Sequence, residues 1–273
     1  MVNSFYQLPI ELLAALAAAV FVGFQWLGSI FLRPILRAFI GRQQDANAAV
    51  AGIFAGFGVL YGLLLSLLAV AAYQNQSEVR ATTIDEASSL LALYRDVSQF
   101  PGPDREALAG GLERYCRSII DEEWPVQRAG KVPEGAHVHL LEIRSGILGI
   151  EPESRRDELL QELALEHYDE MTAHGRERRY AATTSIPSLM WYVVIVGTII
   201  SFVLGWVLEM RLTAHFFFGG LNAFFLGALI LLIAVMERPF RSGTYGVSPK
   251  PFETILEQMN GAAPAEAPPS PER

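Results

Sequence analysis

Charge is the first thing in short supply. Asp, Glu, Lys and Arg make up 18% of the 273 residues against 51% hydrophobic, at a mean hydropathy of +0.28. Soluble domains carry about 25% charged residues, so this balance points to a membrane protein. Cysteine is nearly absent: Cys116 stands alone, which excludes an intrachain disulfide and removes any argument for an oxidising compartment. No Lys or Arg precedes Glu11, and the apolar run behind it is long, so it reads as a membrane helix and not as a cleaved signal peptide, despite the small residues of "ALAAAV". Proline and glycine are missing from Gly62 to Pro101, and nothing there stops a helix. No alternating strand pattern, phosphate loop, nucleophile motif, zinc-protease motif or dinucleotide fingerprint is present. Enzymatic activity, a cofactor, a metal and a nucleic-acid partner are therefore not expected.

What is there is apolar length. Pro9–Leu32, Ala51–Tyr73, Ser188–Leu208 and Thr213–Met236 each reach the roughly 20 residues that cross about 30 Å of hydrocarbon. They predict transmembrane helices over 9–32, 51–73, 188–208 and 213–236. Trp191, Tyr192 and Trp206 flank the third span as interface aromatics do. Polar groups in hydrocarbon are costly. Asn222 is expected to bond across helices, while Glu11 suits the interface. Between the second and third spans, residues 74–187 carry the whole net charge of −8 and the remainder is balanced, which marks a water-exposed domain. With four spans, that domain and both termini share one side, together with Arg80, Arg176, Arg178, Arg179, Arg238, Arg241 and Lys250. Arg33, Arg37, Arg42 and Arg211 lie on the other, so the bias places the large domain in the cytoplasm. The bilayer is thus the first partner.

The stretch "LLSLLAVAAYQNQSEVRATTIDEASSLLALYR", residues 64–95, passes from hydrocarbon to amphipathic without a break. It predicts one helix from about Ala51 to Gln99, roughly 70 Å long at 1.5 Å per residue. At 100° per residue Gly58, Gly62, Ser66, Ala69, Tyr73, Gln76, Ser77 and Arg80 fall in one arc of about 100° that is small and polar. Two readings stand. Small residues are the usual contact between membrane helices, and Gly52–Gly56 and Gly58–Gly62 have the spacing for it. Alternatively Gly58, Gly62, Ser66, Ala69, Tyr73, Gln76 and Arg80 line a water-filled pore shared by several copies.

The polar domain reads as helices. One begins at Pro103–Asp104, carries Leu108, Leu112, Tyr115 and Ile119, and ends before Pro125; a second covers about Ala136–Ile147. A third starts near Pro152, with Leu159, Leu160, Leu163 and Met171, and leads to Pro187. Residues 237–260 form an ordered turn and a short helix over 252–259, and the Pro/Ala tail 261–273 has nothing to bury. "DEEWP", Asp121–Pro125, reads as a solvated helix end with a docked tryptophan in preference to a cation site, because consecutive carboxylates point apart. His137 and His139 lack a third ligand; His167, Glu170 and His174 share a face without metal-site spacing.

This order of elements, with "DEEWP" in the middle and "RPFRSGTYGVSP" near the end, resembles the bacterial bestrophin-like family from about Gly23 to Met259. Glu123, Trp124, Pro125, Pro239, Phe240 and Gly243 carry the resemblance. It implies an all-α fold of four transmembrane helices with a helical cytosolic domain between spans two and three, in a bacterial inner membrane. Bestrophins are pentameric anion channels whose second span lines the pore, so the resemblance implies self-association and chloride as permeant ion. Two features depart from bestrophins. Arg241-Ser-Gly-Thr-Tyr replaces their acidic calcium clasp, and Leu64, Leu67 and Leu68 stand where an aromatic neck would be. A non-conducting scaffold or stator-like protein, whose helical domain binds a partner, is the alternative reading.

Overall fold

The computed structural model describes residues 10–40, 44–133, 137–184, 186–240 and 246–261. Among these residues every regular element is a helix: α1 (Ile10–Ile40), α2 (Gln44–Val97), α3 (Asp104–Ser118), a π-helical turn (Ile119–Glu123), α4 (Trp124–Arg128), α5 (His137–Gly149), α6 (Arg155–Ala181), α7 (Ser188–Val207), α8 (Leu212–Met236) and α9 (Lys250–Gly261). The chain divides into two compact units, Met1–Gln76 with Ser185–Arg238 and Ser77–Thr184 with Pro239–Arg273. The absence of a breaker has its expected consequence: α2 runs uninterrupted and contributes residues to both units.

The first unit is assembled from α1, the first part of α2, α7 and α8. All four helices are long and apolar enough to cross a membrane. In their most apolar stretches only 11%, 17%, 28% and 33% of residues are buried, so Leu12, Phe31, Leu60, Phe217 and many like them point outward. Such a surface is stable in hydrocarbon and not in water. Contacts between these helices come from aromatic rings set against glycines. The Trp206 ring occupies the space over Gly28, Phe21 that over Gly227, and Tyr61 that over Gly197, where added Cβ atoms would collide with the rings. Polar tips then find backbone carbonyls, as they must without water. Trp206 Nε1 donates to Gln25 O at 3.1 Å, Trp26 Nε1 to Phe216 O at 3.1 Å, and Tyr61 Oη to Val194 O at 2.7 Å. Arg33 is buried as well, with Nη2 donating to Met210 O at 2.6 Å. Among the described residues of one chain Asn222 makes no bond across helices; it sits on the exposed side of α8.

The second unit packs α3, α5, α6 and α9 with the Ser77–Val97 part of α2 around Leu90, Leu93, Leu112, Tyr115, Ile147, Met171 and Phe252. Local signals set its boundaries. Asp104 and Glu106 occupy the first turn of α3, where carboxylates favour the helix dipole. The Ser154 side chain caps α6 by accepting from Asp157 N at 3.2 Å. At the other end of α5, Gln161 Nε2 donates to the Ile147 and Ile150 carbonyls at 2.7 and 3.0 Å. One expectation fails here. Pro125 does not lie beyond the helix begun at Asp104; the chain continues through the π turn into α4, with Pro125 in its first turn. Proline has no N–H to give to the preceding turn, and the helix is π-helical just before it.

Cys116 is fully buried and its Sγ lies 3.4 Å from Phe252 O. Burial, then the charge of Glu86, pushes the thiol up from 9.0 to about 12. The folded value lies above the unfolded one. The native state therefore favours the protonated thiol, a contribution complete below about pH 9 and lost as pH rises from there to about 12. At pH 8 the native protein is expected not to react with a water-soluble aromatic disulfide, and one thiol per chain is expected to appear on denaturation. Rapid reaction of the folded protein would contradict this packing.

Candidate functional site

In the first unit, Tyr61, Leu65, Leu68 and Ala72 repeat at i, i+4, i+7 and i+11 and form the buried stripe of α2. Tyr61 anchors it, stacked on Phe57 at 5.4 Å and bonded to Val194 and Thr198 of α7. The small and polar arc lies next to this stripe. Ser66 and Tyr73 are exposed, and a Cβ added at Gly58 or Gly62 would meet nothing within 4 Å. The same holds at Gly52 and Gly56, so within one chain the α2 glycines pack against no other helix; that role belongs to Gly28, Gly197 and Gly227. Ala69 is half-buried against the Tyr61 cluster and Gln76 is buried. Both lie on the side of the arc nearest Ala72. Ser66 Oγ donates to Gly62 O at 2.8 Å, satisfying its proton inside the helix and leaving lone pairs facing outward. Arg80, in the second unit, is exposed.

The second unit holds a feature of a different kind. Arg178 is entirely buried, and so is its main partner Glu86. Its Nε donates to Glu86 Oε2 at 2.6 Å, Nη2 to Glu86 Oε1 at 3.2 Å and to Glu123 Oε2 at 2.7 Å, and Nη1 to Gln127 Oε1 at 2.7 Å. Gln127 returns a bond from Nε2 to Arg178 O at 3.1 Å, and Tyr115 Oη donates to Glu86 Oε1 at 3.0 Å. Arg179 Nη1 stands 3.8 Å from Glu123 Oε1, so two carboxylates balance two guanidinium groups. The Arg178 guanidinium also lies 5.6 Å from the Trp124 ring centre and 5.5 Å from that of Phe252. Burial opposes its charge, but Glu86, through charge and hydrogen bond, and then Glu123 outweigh that, so its pKa is held above its ordinary value. Burial, and then Glu86, raise the Tyr115 phenol well above its own. Gly175 makes the cluster possible, since a Cβ there would stand 2.8 Å from Glu86 Oε1.

"DEEWP" is solvated at Asp121 and Glu122 and its tryptophan is docked, as expected, but Glu123 departs from that reading because it is buried. Glu123 is 3% exposed and Trp124 1%, and Trp124 packs edge-on to Phe240 at 5.3 Å. Pro239 and Phe240 are buried with it, whereas Gly243 and Arg241 lie outside the described residues. The histidines do not converge. His167 Nδ1 pairs with Asp96 Oδ2 at 2.6 Å, Glu170 accepts from Ser89 at 3.3 Å, and His174 approaches Glu177 at 3.7 Å. His139 is half-buried, and the His137 side chain is outside the described residues. No group of three His, Cys, Asp or Glu surrounds a common point among the described residues.

Glu123, Trp124, Pro239 and Phe240 therefore come together in one buried cluster, and the family model for a bestrophin-like domain matches residues 17–252. The chain belongs to the bestrophin-like family. With four apolar helices it is a multi-pass membrane protein. Solved structures agree in fold. A variant of a bacterial bestrophin homologue from Klebsiella pneumoniae is 15% identical, with 88% of this chain and 99% of that one covered at a TM-score of 0.63. A second variant of that homologue gives 14%, 90%, 99% and 0.64. A structure described as a membrane protein variant gives 14%, 88%, 97% and 0.65. No protein of curated function matches the sequence. Identities this low carry the bestrophin architecture and nothing finer.

Sequence reasoning missed Glu86, Tyr115, Gln127, Gly175 and Arg178 as one cluster. A signal existed. Leu160, Ala164, Met171, Gly175 and Arg178 are one buried stripe of α6, and Val79, Glu86, Leu90 and Val97 are one of α2. Each charged residue falls on an apolar stripe, where only a paired charge is stable.

Proposed function

We propose that the chain assembles as a homo-oligomeric, pentameric anion channel of the bacterial inner membrane, with the Gly58–Gly62–Ser66–Tyr73 face of α2 around the pore. Ala69 and Gln76 sit at its edge and Arg80 follows on the same helix. Chloride is the permeant ion, and both termini and residues 74–187 face the cytoplasm. The observation that carries this reading is the asymmetry of α2. Its Tyr61–Ala72 stripe is spent on neighbours in the chain, and its small polar arc meets none at Gly58 and Gly62. A polar face left open in a membrane helix needs water or another copy.

The test is chloride efflux from liposomes holding purified protein. Efflux above that of empty liposomes is expected, as is an assembly mass of five chains in mild detergent. A strictly monomeric mass would remove the channel. Arg80→Glu is expected to lower chloride preference over sodium without changing assembly mass, because a ring of positive charge favours anions. Unchanged selectivity would take Arg80 off the conduction path. Labelling of cysteines introduced at positions 45 and 261 from opposite sides of the membrane tests the orientation.

One observation favours the scaffold reading. Val138, Leu141 and Leu148 of α5 and Leu159 and Leu163 of α6 are exposed apolar residues in the second unit, as a partner surface would be. Silent liposomes would transfer the case to it.

A further inference from the structure

We propose that a groove between α1 and α8 holds the acyl chain of a phospholipid whose primary ammonium head is received by Glu237. The groove encloses about 410 Å³ and is lined by Ala17 and Phe21 of α1, Trp191 of α7, and Gly227, Ala234 and Glu237 with their apolar neighbours on α8. All of these belong to the membrane-crossing unit. Gly227 and Ala234 lack the bulk to close it, and Phe21, held over Gly227, forms its inner end. From Gly227 to Glu237 is about 15 Å of helix at 1.5 Å per residue. That is half of the roughly 30 Å hydrocarbon thickness, the depth one leaflet offers an acyl chain.

The wall is apolar except at one end. There Glu237 follows the last turn of α8, and its Oε1 accepts from Ile186 N and Trp191 Nε1, each at 3.1 Å. Its Oε2 also lies 3.1 Å from Trp191 Nε1. A tryptophan with its N–H turned to a carboxylate marks the headgroup level. A carboxylate offers about four acceptor positions, so Oε2 keeps capacity for a further donor. An acyl chain topped by a primary ammonium group matches this arrangement. A quaternary ammonium head has no N–H to give, and an anionic head is repelled.

The experiment is native mass spectrometry of the intact, detergent-solubilised protein titrated with dioleoyl phosphatidylethanolamine or phosphatidylcholine. Size-exclusion mass and melting temperature are recorded for each variant. The expected result is about tenfold tighter retention of the ethanolamine lipid, the worth of one hydrogen bond to a charged group. Glu237→Gln keeps a carbonyl oxygen for Ile186 and Trp191 and should remove the preference while leaving the melt in place. Ala234→Phe fills the groove and should reduce retention of both lipids. Equal retention of the two lipids by the parent protein would overturn the proposal. So would a preference that survives Glu237→Gln, or retention untouched by Ala234→Phe. Should Ala234→Phe change the assembly mass and leave lipid retention alone, the groove belongs to a contact between copies and the proposal falls.

Discussion

Replacing Ser66 by leucine is expected to abolish chloride efflux while leaving the assembly mass of the protein unchanged. Ser66 is the most polar residue of the α2 arc within the hydrocarbon depth, and it faces no neighbour in its own chain. Its proton is committed to Gly62 O, so what it offers outward is a pair of acceptor sites that hydrate readily. A leucine there removes those sites and adds bulk in every copy at one level of the axis. A narrow pore lined by apolar groups dewets and stops conducting. Ala69→Phe should act in the same direction less completely, because Ala69 is half-covered by the Tyr61 cluster. The competing account, in which this arc packs helix on helix between copies, makes the opposite forecast. Overpacking a close contact costs about 1–3 kcal/mol and would loosen the assembly. Efflux and assembly mass, measured on one preparation, separate the two. Normal efflux in Ser66→Leu would take the arc out of the pore.

The parts of this molecule that local sequence governs were open to reading. The unbroken α2 follows from a missing stop signal, and the four spans follow from length and hydropathy. Where a residue's meaning depends on its tertiary neighbour, the sequence misled. Arg178 counted as one more surface charge favouring a cytoplasmic domain, yet it is buried, because Glu86 lies 92 residues earlier on a helix that packs beside it. Glu123 looked solvated among its acidic neighbours. The π turn places it, and not Asp121 or Glu122, toward the core. Pro125 looked like a stop and is an N-terminal residue of α4. The same limit applies to glycine. Nothing local tells Gly197, under the Tyr61 ring, from Gly58, which meets nothing within its own chain.

Arg178→Met should strongly destabilise the second unit. The substitution keeps the length of the side chain and removes every donor. It leaves Glu86 and Glu123 facing each other's charge at 0% and 3% side-chain exposure, with only Tyr115 and Arg179 close by. Removing one partner of a buried ion pair costs about 3–5 kcal/mol, because the remaining charge is stranded. For a unit of this size that is a fall of about 10–20 °C in Tm, read by scanning fluorimetry in detergent. Arg178→Lys retains the charge but cannot bond Glu86 twice while also reaching Glu123 and Gln127, so it should melt between the two. The cost lies in the stranded carboxylates and not in lost packing. Adding Glu86→Gln and Glu123→Gln to Arg178→Met should therefore recover part of the loss, since neutral amides tolerate burial better than unpaired carboxylates. A single variant melting within about 2 °C of the parent, or a triple variant worse than the single, would mean that the pairing of Arg178 with Glu86 and Glu123 does not hold this unit together.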